Sequence, residues 1–185
     1  MELTSFATDP IAVGAIVGAL ALVMFAAAWH KFSEPEEFVG ALAAYRLMPE
    51  VAVWPVARIL PVVEVVIGAG VLVPVTRQVA TFSLAGLVLL YAMAIAINLA
   101  RGRRSIDCGC GGAAHPLSWG LVGRNLVLAA LAIAASQPTL ERGLSWIDAL
   151  TLVFGVLAFY ALYLMADELL RQASRSGQLK QFEQG

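Results

Sequence analysis

Two cysteines in 185 residues, a charged fraction of only 14%, and no excess of either sign (12 Lys+Arg against 13 Asp+Glu) are the scarcities that define this chain. Two cysteines are too few for a secreted scaffold stapled by disulfides. A net charge of -1 lacks the basic excess that draws a protein to phosphate backbones, so no nucleic acid is expected as a partner. Ordinary soluble domains carry about 25% charged and roughly 45–50% apolar residues. This chain is 60% apolar, which excludes a water-soluble single core.

The apolar residues are gathered into runs, and a spanning helix needs about 20 of them. Pro10 to Trp29 and Gln78 to Ala100 carry no Asp, Glu, Lys or Arg, and Ile59 to Thr76 is broken only by Glu64. Asn125 to Leu140 is shorter and extends back past Arg124; Ala149 to Ala166 is clean. The reading is an all-α polytopic membrane helix bundle, residues 1–166, with about five spans (10–29, 57–76, 78–100, 121–138 and 147–166). Trp29, Trp54, Trp119 and Trp146 fall near the proposed ends, where amphipathic rings favour the headgroup region. The start Met1-Glu2-Leu3-Thr4 is acidic where a cleaved signal peptide is positive, so the first segment is expected to be retained. Ser33-Glu34-Pro35-Glu36 reads as a capping box opening a short interfacial helix, about 34–48, with Phe38, Leu42 and Tyr45 on one face and Pro49 closing it. Residues 167–185 form a polar C-terminal tail, expected as a frayed helix extension.

Lys and Arg counts orient a membrane protein. Five spans put ten on one side (Lys31, Arg46, Arg58, Arg101, Arg103, Arg104, Arg124, Arg171, Arg175, Lys180) and two, Arg77 and Arg142, on the other. The N-terminus is therefore expected outside, and the C-terminus and the cysteine loop at the cytoplasmic face.

That loop, 101–120, holds the chemistry: Arg101-Gly102-Arg103-Arg104-Ser105-Ile106-Asp107-Cys108-Gly109-Cys110-Gly111-Gly112. Glycine between and after the cysteines frees the backbone to bring two sulfurs together, which needs Cα atoms within about 7 Å. A ring so small would be strained, the property of labile, catalytic disulfides. Three arginines and the start of the next helix favour a thiolate, while Asp107 opposes it. Two unreactive thiols in a flexible loop is the plainer alternative. A metal site of Cys108, Cys110, His115 and Asp107 is a third, disfavoured because zinc prefers wider cysteine spacing.

Polar groups within spans mark a function or a partner. Glu64 is the clear case, and the topology offers Arg124, next to Asn125, as a partner for an ion pair beside the cysteines; a neutral, hydrogen-bonded Glu64 tying helices together fits equally well. Asn98 suits an interhelical hydrogen bond, His30 and Lys31 suit interfacial anchors, and Gly14 with Gly18 suits close helix packing.

The order Lys31…Phe38…Tyr45-Arg46-Leu47-Met48-Pro49…Pro61-Val62-Val63-Glu64…Gly68, then Asp107-Cys108-Gly109-Cys110-Gly111, then His115-Pro116-Leu117-Ser118-Trp119 and Arg124-Asn125-Leu126 resembles the MauE family of methylamine utilization proteins, among the DoxX-like redox-associated membrane proteins. The likeness runs from about Trp29 to Leu131; Gly111 stands where many broader relatives carry an aromatic. It implies a protein of the bacterial inner membrane needed for processing, transport or maturation of the methylamine dehydrogenase small subunit, which carries many disulfides. It also implies a thioredoxin-like periplasmic partner similar to MauD. Cys108 and Cys110 become the redox pair, with Glu64, Arg124 and Asn125 in support. A periplasmic partner disagrees with the cytoplasmic loop that charge counting gives; a pair at the membrane boundary, reached in alternating conformations, would satisfy both. The expectation is a thiol–disulfide relay serving maturation, with no cofactor beyond a possible quinone. The alternative is a non-redox scaffold that recruits the maturation machinery. A small-molecule transporter is less supported, since no repeat of two similar halves is evident.

Overall fold

The computed structural model describes residues 9–103, 106–109, 116–139, 143 and 145–182. The described residues form six helices: α1 (Pro10–Ser33), α2 (Pro35–Tyr45), α3 (Glu50–Leu72), α4 (Arg77–Ala100), α5 (Trp119–Ala135) and α6 (Trp146–Phe182). Among the described residues there is no strand, only an isolated antiparallel bridge between Asp107 and Pro116. The chain is an all-α polytopic membrane bundle. Among the described residues four helices, α1, α3, α4 and α6, are long and apolar enough to cross a membrane. The fifth expected span, α5, has 17 residues, about 25 Å at 1.5 Å per residue, against a hydrocarbon core of about 30 Å.

The helix limits follow local chemistry. Asp9 caps α1, its Oδ1 accepting from the N–H of Ile11 (2.8 Å) and Ala12 (3.4 Å), with Pro10 in the first turn. α1 runs on to Ser33, past the expected end at Trp29, and so absorbs His30 and Lys31. The expected capping box does not form: Ser33 is the last residue of α1, Glu34 is the N-cap of α2, and no side chain caps it. α2 stops at Tyr45 rather than at Pro49 because Arg46 takes a left-handed conformation (φ 49°). α3 starts at Glu50, ahead of the expected 57, and ends at Leu72. Pro74 holds Val73 extended (ψ 120°), and the Thr76 hydroxyl donates to the carbonyls of Gly70 (2.7 Å) and Val73 (3.3 Å), which also accept from the N–H groups of Val73 and Thr76. α6 continues for 37 residues, so the expected tail is largely helix, of which Trp146–Ser174 contains the apolar portion.

A core of Val17, Leu20, Met24, Leu84, Val88, Leu128 and Ala132 joins α1, α4 and α5, with Val71 from α3. Outward faces are also apolar: Ile59, Val66, Leu90, Met93, Val127 and Phe154 are exposed, as expected where the surrounding solvent is lipid. All four tryptophans are exposed. On the other side of α1, Gly14 and Gly18 admit α6: a Cβ at those positions would lie 2.8 Å from Leu152 Cδ1 and 2.5 Å from Val156 Cγ2. α1 and α3 pack antiparallel, with Gly68 against Met24 and Phe25. That register carries the first turns of α3 beyond the end of α1, where Pro35, Glu36 and Val39 of α2 lie against Trp54, Ala57 and Arg58.

Candidate functional site

The buried stripe of α3 runs Val53, Ala57, Pro61, Glu64, Gly68, Val71, so helical periodicity delivers Glu64 into the bundle. Its partner comes from α1. Lys31 Nζ donates to both carboxylate oxygens of Glu64, at 2.7 and 2.9 Å, and to the Ala27 carbonyl at 3.4 Å. The Tyr91 hydroxyl of α4 donates to Glu64 Oε1 at 2.8 Å. The ammonium also sits 5.3 Å from the Phe38 ring centroid and 5.7 Å from that of Tyr91. Lys31 is 6% exposed and Glu64 fully buried. A single buried charge would cost several kcal/mol in round terms, so the pair forms as a unit.

Two expectations are corrected by this geometry. Glu64 does not pair with Arg124, and Lys31 is no interfacial anchor. Arg124 pairs instead with Asp167, the first residue of the expected tail, and its guanidinium lies 5.7 Å from the Tyr163 ring centroid. The reason is register: Glu64 faces α1 and α4, whereas Arg124 lies on the side of α5 that meets α6. Lys31 was detectable, since the buried positions Val17, Leu20, Met24, Ala28 and Lys31 continue one helical stripe. His30 stays exposed. Asn125 is buried in α5, and Asn98 turns back on its own helix, donating to the Ala94 carbonyl at 3.1 Å.

The cysteine segment folds back onto α2. The Tyr45 hydroxyl donates to the Cys108 carbonyl at 3.1 Å, and Asp107 Oδ1 accepts from the Gly109 N–H at 2.8 Å. Leu117 N–H donates to the Ile106 carbonyl at 3.1 Å, which closes the base of the loop. Gly109 has φ +65°, a conformation that favours glycine, and a Cβ there would lie in tight contact, 3.3 Å from Ala41 and 3.4 Å from Phe38. Cys108 is half-buried against Tyr45, Ile95, Leu99, Leu117 and Leu121. Cys110, the other half of the expected pair, lies outside the described residues, as do Arg104 and His115. Among the described residues, no three His, Cys, Asp or Glu side chains cluster as metal ligands.

These two clusters share a cavity of about 220 Å³. Lys31, Tyr91, Cys108 and Gly109 all line it, and apolar side chains of α2, α3 and α4, with Leu47 and Met48 of the α2–α3 connection, form the rest. Sequence reasoning missed it, because it arises only where α2 leans across α3 and α4.

Comparison with known proteins gives the chain its family. The family described as "Methylamine utilisation protein MauE" matches residues 9–137. The chain is 43% identical over 134 residues to the methylamine utilization protein MauE of Paracoccus denitrificans, covering 71% of this chain and 72% of the relative. It is 41% identical over 141 residues to that of Methylorubrum extorquens, covering 75% and 71%, and 38% identical over 154 residues to that of Methylophilus methylotrophus, covering 80% of each. No solved structure matches. A helical membrane bundle whose matched region spans Lys31, Glu64, Tyr91, Cys108 and Arg124 thus belongs to the methylamine utilisation protein MauE family.

Proposed function

We propose that this protein serves maturation of the methylamine dehydrogenase small subunit in the bacterial inner membrane, as a thiol–disulfide relay between Cys108 and Cys110 and a thioredoxin-like, MauD-like periplasmic partner. The partner's dithiol reduces the Cys108–Cys110 disulfide by exchange; two electrons and two protons pass to this chain, and the partner leaves as a disulfide. Membership of a methylamine utilisation family supports the biological setting. The single observation that carries the chemistry is the placement of Cys108, pinned through its carbonyl to Tyr45 and seated in the wall of an apolar cavity rather than hanging in a solvated loop. Glu64 and Lys31 support the site as a fixed charge pair. Arg124 and Asn125 act through α5, the helix that leaves the cysteine loop.

The test is alkylation trapping of the membrane-embedded chain with and without reductant, from each side of the membrane, together with growth on methylamine. A disulfide that reductant converts to two thiols, and loss of growth in Cys108→Ser and Cys110→Ser at normal protein level, are expected. Normal growth of the double serine variant would replace the relay with the scaffold reading.

A further inference from the structure

A relay that accepts electrons must pass them on, and exchange with a protein partner makes no use of a cavity inside the bundle. We propose that the cavity beside Cys108 binds the ring of a lipid-soluble quinone, which reoxidises the cysteine pair. This rests on the thiol–disulfide reading above. The reaction balances: the two thiols give up two electrons and two protons, the sulfur–sulfur bond forms, and the quinone leaves as quinol.

Size, walls, mouth and charge all agree. At about 220 Å³ the space exceeds the roughly 150 Å³ apolar cavity that accepts a benzene ring, leaving room for ring substituents. Its walls are apolar apart from a few polar groups, the pattern of a site for a small organic molecule. Leu47 and Leu90, which line it, are 38% and 56% exposed, so the mouth is apolar and a hydrocarbon tail can leave through it into lipid. Inside, the Lys31 ammonium presents positive charge where a quinone oxygen gains electron density on reduction, held by Glu64 so that the empty cavity carries no net charge. Cys108 lines the same space, so one of the two donor cysteines borders the acceptor's site.

A ubiquinone carrying one isoprenoid unit, and its photoreactive azido derivative, test this on the full chain in detergent or vesicles. The azido probe is expected to label the α2 and α4 peptides and to be displaced by the unlabelled quinone. Labelling should fall about tenfold or more in Ala94→Trp, which fills the cavity, or in Leu90→Phe at its mouth should the first variant not fold. It should persist in the double serine variant. Anaerobically, the reduced protein should lose two thiols per quinol formed, more slowly in the filled variants, with oxidation by a small disulfide unchanged. Labelling spread over the lipid-facing surface, or undisplaced, overturns the site and leaves an acyl chain as its occupant. Thiols that oxidise with the disulfide but not with the quinone overturn the acceptor role and leave the relay standing. Thiols that oxidise with neither overturn the relay and the acceptor role together, and the labelling still reports separately on binding.

Discussion

Lys31 Nζ meets both carboxylate oxygens of Glu64, at 2.7 and 2.9 Å, with side chains 5% and 0% exposed. Removing one member of such a pair strands the other charge, at a cost of about 3–5 kcal/mol, while replacing both by apolar residues is close to neutral. Glu64→Ala and Lys31→Met should each lower the steady-state protein level and the unfolding midpoint in detergent. The double variant Lys31→Met with Glu64→Leu should regain most of the loss. A double variant as unstable as the sum of the singles would dissolve the pair.

Arg124 answers to Asp167. A double-mutant cycle on Arg124→Ala and Asp167→Asn should therefore show coupling, toward the low end of about 0.5–3 kcal/mol because Asp167 is 31% exposed. The cycle on Glu64 and Arg124 should be additive to within about 0.5 kcal/mol. Coupling between Glu64 and Arg124 would mean that α3 and α5 meet in a way this fold does not allow.

Tyr45 holds the cysteine segment through a hydrogen bond to the Cys108 carbonyl. Tyr45→Phe keeps the ring in the core and removes that bond, about 1 kcal/mol, enough to raise the open population of the segment roughly fivefold. The rate of Cys108 alkylation by a small membrane-permeant reagent, measured in a Cys110→Ser background, should rise accordingly. An unchanged rate would show that Tyr45 does not control access. Gly109→Ala should act in the same direction, since its φ of +65° and the nearby Phe38 and Ala41 resist a side chain.

Gly18 lets Val156 of α6 approach α1 so closely that any Cβ collides. Gly18→Val should overpack this contact at about 1–3 kcal/mol, and Val156→Ala should relieve part of it. Protease sensitivity of the segment joining α5 and α6 reads the displacement; full resistance in Gly18→Val would contradict the packing.

The sequence made the bundle legible because uninterrupted apolar runs leave few other solutions, and it located the cysteine loop because glycines and arginines stand out against that background. Glu64 was equally visible as a lone carboxylate in an apolar run. Its partner was harder to see, because a lysine at the end of a span reads as an anchor until the stripe from Val17 to Ala28 is followed one turn further. Helix limits failed where one residue's backbone decided them: Arg46 ended α2 early, and Pro74 stopped α3 four residues before the expected boundary at 76. The cavity depends on three helices and a loop whose sequence separations are large, so no local pattern announces it.

The pairing of α1 with α3 has a consequence for biogenesis. A nascent α3 moving alone into hydrocarbon exposes a carboxylate midway along a helix that also contains Pro55 and Pro61, an insertion penalty of about 2.5–3.5 kcal/mol for the charge at the centre of a span. Lys31 is synthesised 33 residues earlier and is tethered nearby by α2 and two short connections. The two helices are thus expected to leave the insertion machinery together as a neutral hairpin, with α1 retained at its exit until Glu64 arrives.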